Sequence, residues 1–130
     1  MTKKILAEIS LGELLDKISI LEIKKKKIKN KKKLIFINNE YKILNKIKKK
    51  MKFNKRIYFF YNQLKKVNQA LWNIENRIRM HEKLSKFDKN FILLARKVYK
   101  TNDKRSLIKL RINTLMGSNI VEMKSYSKYV

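Results

Sequence analysis

Apolar positions in this chain recur three and four residues apart, the spacing that lines up one face of an α-helix. In "ISLGELLDKISIL", Leu11, Leu14, Leu15, Ile18 and Leu21 share such a face. Ser10 followed three residues later by Glu13 is the capping-box pattern of a helix start, with Ile9 and Leu14 placed as its hydrophobic staple. The apolar signal fades in "KKKKIKNKKK", where Asn30 is suited to end one helix and cap the next. Leu34, Ile37, Tyr41, Leu44 and Met51 predict a second helix, followed by a turn near Asn54.

The third stripe is the clearest. Ile57, Phe60, Leu64, Val67, Leu71, Ile74 and Ile78 alternate spacings of three and four without a break, as in a coiled-coil seam. Asp88 is placed to cap a fourth helix carrying Phe91, Leu94, Ala95 and Val98. Thr101 or Asn102 is placed to cap a fifth carrying Ile108, Ile112 and Leu115, with Gly117 as its terminating glycine. The expected architecture is therefore all-α: one helical domain over residues 1–130, a bundle of about five helices built around a long antiparallel hairpin. Residues 1–9 form an arm, and 118–130 form a tail that docks through Ile120, Val121 and Tyr126.

Composition supports helices. Proline is absent and glycine occurs only at positions 12 and 117, so tight turns have few places to form. At 44% hydrophobic residues, a chain of 130 residues can bury a core. No cysteine is present, which fits a reducing compartment. The longest apolar runs, "LIFI" and "IYFFY", fall well short of the roughly 18 residues of a membrane-spanning helix. A cytoplasmic location is expected.

The formal net charge of +25 invites a nucleic-acid reading, because lysines that neutralise phosphates release counterions. Residue counts temper it. Lysine (29), isoleucine (17) and asparagine (13) dominate, against 6 arginines and 3 alanines, as A/T-rich coding would produce. Where only charge matters, arginine can give way to lysine; where a bidentate fork matters, it cannot. The arginines and the acids beside them are therefore the sharper markers.

Two constellations stand out. "LWNIENRIRMHE" places Glu75 and Glu82 on one flank of the third stripe and Arg77 on the other. These residues are either ordinary flanking charges or one wall of a cleft. "RKVYKTNDKR" contains Tyr99, Asn102, Asp103 and Arg105, with Arg111 further on. If a helix begins there, its free amides and dipole suit a small anion. The competing reading is an Asx-capped turn between helices. Asp16 and Lys17 on the first helix complete the candidate set. His81, the only histidine, cannot make a zinc site without cysteine or a second imidazole, and is expected to pack at the end of the seam. No glycine-rich phosphate loop or nucleophile elbow is present, so no cofactor or metal is expected.

Four blocks, "ISLGELLDKISILEIK", "LWNIENRIRMHE", "FDKNFILLARKVYKTNDKRSLIKLRIN" and "GSNIVEMKSY", resemble in the same order an uncharacterised family of small bacterial and phage proteins, a domain of unknown function of this length. The resemblance falls on Ser10, Gly12, Glu13, Asp16 and Lys17, on Trp72, Ile74, Glu75, Arg77 and Glu82, on Ala95, Arg96, Tyr99, Thr101, Asn102, Asp103, Arg105 and Asn113, and on Gly117, Ser118, Glu122, Lys124, Ser125 and Tyr126. Asn76 departs from it, standing where an acid is expected. It implies no established activity, cofactor or catalytic residue, and associates the chain with surface-polysaccharide and glycosyltransferase gene neighbourhoods. Most of the tract from Lys24 to Lys33, like the lysines around Ile47, lies outside the matching blocks.

These observations favour a non-enzymatic binding module whose arginine- and glutamate-lined site holds an anionic ligand or a partner. The alternatives are non-specific nucleic-acid binding through the lysine-rich helices, a small helical enzyme of chorismate-mutase type working by electrostatics, and peripheral attachment to anionic membranes.

Overall fold

The first helix, α1, runs Leu11–Lys27 in a computed structural model that describes residues 3–129. Its apolar stripe is joined by a second buried line, Gly12, Asp16, Ser19 and Ile23. Two buried lines on one helix mean that it is covered on several sides, and α1 does pack against each of the other three. Ser10 caps it, its hydroxyl accepting from the Glu13 amide at 3.2 Å. The expected reciprocal half of the capping box is absent: the Glu13 carboxylate turns instead to Lys109. Ile9 is exposed while Leu14 is buried.

Helix α2 spans Lys31–Lys49 and is capped by Asn30, whose side chain accepts from the Lys33 amide. It runs beside α1 and buries none of its residues, though Tyr41 and Leu44 lean on the core. Helices α3 (Lys55–Lys83) and α4 (Lys89–Met116) are capped by Asn54 and Asp88. They pack along each other as a long antiparallel hairpin closed by a short turn. In that turn His81 Nδ1 lies 3.0 Å from the Lys86 carbonyl and 3.6 Å from Asp88, and its ring sits near Phe91. The histidine thus closes the hairpin, as its end-of-seam position predicts.

The core comprises Leu11, Leu14, Leu15 and Ile18 of α1, Ile57, Phe60, Tyr61 and Leu64 of α3, and Ile108 and Ile112 of α4. Among the described residues there are four helices rather than five. The break expected at Thr101 or Asn102 does not occur, because α4 continues through it with its inward positions in register. Leu94, Val98, Thr101, Arg105, Ile108 and Ile112 follow one another at spacings of four and three, and all are buried or half-buried. Packing along α3 holds the helix through residues that would cap an isolated one. Gly117 ends it in the left-handed region at φ 63°, as its position predicts.

Candidate functional site

The continuity of α4 puts Arg105 at an inward position, opposite the polar line of α1. Its Nε donates to Asp16 Oδ1 at 2.9 Å and its Nη2 to Asp16 Oδ2, a two-pronged contact. Asp16 is only 1% exposed. Asn68 of α3 donates through Nδ2 to the same Oδ1 at 2.8 Å and to Ser19 Oγ at 2.6 Å. Ser19 in turn donates to the Asp16 carbonyl. One carboxylate therefore ties three helices together.

Lys109, one turn beyond Arg105, is the second centre. Its Nζ lies 2.7 Å from Glu13, 3.3 Å from Glu122 of the C-terminal segment and 3.6 Å from Asp16. Burial pushes its pKa down, but the bonds and charges of these acids outweigh that and raise it. Burial likewise pushes Asp16 up, and the donors Arg105 and Asn68 with the charges of Arg105 and Lys109 more than reverse it, so its carboxyl titrates below the usual range. The hydrogen bonds of Asp16 raise the Arg105 pKa further. Asp16, Arg105 and Lys109 are all charged at neutral pH.

A close approach of backbones permits the cluster. The Gly12 amide donates to Asn113 Oδ1 at 2.7 Å, and a Cβ on Gly12 would lie 2.7 Å from that oxygen and from the Lys109 carbonyl. Glycine here is a steric requirement of the α1–α4 contact.

The predicted site residues separate into three groups. Asp16 and Arg105 meet, and Lys17 sits beside them on the exposed side of α1, 3.7 Å from Glu13. Tyr99, Asn102 and Asp103 line a wide groove of about 1050 Å³ between α4 and the C-terminal segment. There Tyr129 donates to Asp103 at 2.9 Å and its ring meets Tyr99 edge-on. The segment is thus held through Glu122 and Tyr129, whereas Ile120, Val121 and Tyr126 are exposed, contrary to the expected docking. Asn102 and Asp103 are mid-helix, so the amide donors expected there for an anion are already bonded within α4.

The third group joins neither. Glu75 pairs with Arg79 one turn along its own helix at 3.7 Å. Arg77 and Glu82 are exposed and make no ion pair among the described residues. These three lie on the outer flank of α3, apart from the other predicted residues. Residues of the cluster around Asp16 and Lys109 outside the predicted set are the buried Ser19, Asn68, Lys109 and Asn113, the half-buried Glu13 and the exposed Glu122. A readable signal existed for some: Gly12, Asp16 and Ser19 form a small and polar line beside an apolar one, and Asn68 flanks the hydrophobic seam of the third stripe.

The cluster leaves a void of only about 20 Å³, no more than a water could fill. Its donors and acceptors are spent on one another. Cations that make no ion pair among the described residues surround a different feature, a groove of about 360 Å³ between α3 and α4. Phe60, Val67 and Leu107 supply apolar lining; Lys66, Lys104 and Arg111 rim it without a carboxylate. Arg111 lies over the Phe60 ring at 5.8 Å.

Among the described residues no helix is long and apolar enough to cross a membrane, and no group of acids and histidine is arranged to hold a metal. No curated protein and no solved structure matches the chain. A family model does match, over residues 5–130: the chain belongs to the family of unknown function DUF6165.

Proposed function

We propose that this protein is a non-enzymatic binding module that takes a small organic anion with an apolar body in the α3–α4 groove. The observation that carries the reading is the division of the cations. Arg105 and Lys109 are neutralised by the buried Asp16 and by Glu13 and Glu122 beside it, whereas Lys66, Lys104 and Arg111 face a groove whose lining contains no acid. An anion entering there meets uncompensated positive charge beside apolar surface, the usual make-up of a ligand cleft.

The ligand class is a phosphorylated organic molecule. Arg111 offers a planar fork, and the two lysines offer point charges, a set suited to phosphate oxygens. Nucleotide-sugars enter the test panel because of the association with surface-polysaccharide neighbourhoods. A small enzyme of chorismate-mutase type would need a carboxylate beside its free cations, and the groove lining contains none, so binding is the reading we favour. The test is thermal melting with nucleoside diphosphates and nucleotide-sugars. A ligand present at about a hundred times its Kd adds about 2.7 kcal/mol to stability. A panel in which nothing moves the melting point removes the reading.

A further inference from the structure

Helix α2 differs from the other three in having no buried residue and in running beside α1 alone. Leu34, Ile37, Tyr41 and Leu44 are half-buried on its inner side. On another side, Phe36, Ile43 and Ile47 are 76%, 54% and 46% exposed. Offsets of seven and eleven residues bring these three side chains onto one line along the helix. Lys32, Lys33, Lys46 and Lys50 border that line, and Glu40 is the one acid along it. From Lys24 to Arg56 the chain carries fifteen lysines and one arginine against Glu40 alone, a net +15 of the total +25.

We propose that this side of α2 docks on an anionic lipid surface. Three occupants compete for such a face. A second copy of the chain would bring an equal positive charge against it and be repelled. A nucleic acid would satisfy the lysines but leave a phenylalanine and two isoleucines in water, where their exposure serves nothing. An anionic bilayer satisfies both components. The apolar line sinks to the boundary of headgroups and acyl chains, while the lysine stems run along it and carry their ammonium groups back to the phosphates. Juxtaposed lysines add attraction to the negative surface potential, which decays within a Debye length. The surface is independent of the α3–α4 groove, so either proposal stands without the other.

The test is cosedimentation of the full chain with vesicles of phosphatidylcholine alone or mixed with phosphatidylserine, at physiological ionic strength. The wild type binds only the phosphatidylserine vesicles. The Phe36→Ser/Ile43→Ser/Ile47→Ser variant removes no buried side chain, so it keeps its helical signal and melting temperature, and binds about tenfold more weakly or worse. A second readout is Phe36→Trp in a Trp72→Phe background, whose emission moves to shorter wavelength on phosphatidylserine vesicles. The proposal is overturned by absence of vesicle binding, by a triple variant that binds as the wild type does, or by an unmoved tryptophan emission. It is equally overturned if single-stranded RNA at the same salt displaces the protein fully from the vesicles and binds the triple variant undiminished, which would assign the face to nucleic acid.

Discussion

Arg105 of α4 holds Asp16 of α1 with two donors, across 89 residues of sequence, where Asp16 is almost wholly out of water. A buried pair of this kind fixes geometry more than it adds stability, but breaking it by removing one partner strands the other. Asp16→Ala and Arg105→Ala are each expected to cost about 3–5 kcal/mol in urea unfolding. The double variant is expected to cost clearly less than the sum, since the second removal relieves the charge stranded by the first. Additive losses would mean that the two residues act independently.

The same carboxylate makes stability depend on acid. The folded-state pKa of Asp16 is depressed by Arg105, Asn68 and Lys109 acting against burial. Its contribution is therefore complete above the unfolded value of about 3.9 and disappears as pH falls through the lower folded value. Lys109 has the opposite sense. Its raised pKa gives a contribution present below about 10.4 and lost as pH climbs through the folded value. Urea midpoints measured from pH 7 down to pH 3 should show the gap between wild type and Asp16→Asn narrowing below about pH 4. A constant gap would contradict the assignment.

Gly12→Ala sets helix propensity against packing. Alanine is favoured over glycine in a helix by about 1 kcal/mol. Here the added methyl meets the Lys109 carbonyl and the Asn113 amide oxygen at 2.7 Å, and the former belongs to the α4 backbone, which cannot swing aside. Overpacking of this kind costs about 1–3 kcal/mol, so a net loss in melting temperature is expected. An unchanged or raised melting temperature would show that α1 and α4 can part without penalty.

Tyr61 offers a change in the other direction. Its hydroxyl is buried and makes no hydrogen bond of good geometry among the described residues, and burial, with Glu22 close by, pushes its pKa up. The ring packs in the core with Lys48 and Lys65 over its face. Tyr61→Phe keeps the ring and removes only the unsatisfied group, so stability should be unchanged or rise by about 1 kcal/mol. A loss larger than that would reveal a bond that the hydroxyl makes in solution.

Much of the fold was legible because the signals are local. Ser10, Asn30, Asn54 and Asp88 each accept a bond from an amide three residues ahead, and Gly117 acts where it stands. Asn102 misled for the same reason: its capping chemistry is local, whereas the packing that overrides it comes from α3. The cluster was only half legible, because Asp16 meets its partners 52 and 89 residues away, and no local pattern encodes such a meeting. Discounting lysine in favour of arginine also failed in both directions. Lys109 is buried among three acids, while Arg77 and Arg79 face solvent. Coding bias can explain how many lysines a chain has, but not where the fold puts one of them.

The functional account rests on a division of labour: Arg105 holds the helices, and Arg111 serves the groove. Thermal melting of Arg105→Ala, Lys104→Ala/Arg111→Ala and wild type, each with and without the nucleotide-sugar and nucleoside-diphosphate panel, tests it most directly. Arg105→Ala should melt lower than wild type without any ligand. The groove variant should melt close to wild type alone and lose the ligand-induced rise that wild type shows. An equal rise in the groove variant and the wild type would place the ligand elsewhere and contradict the account.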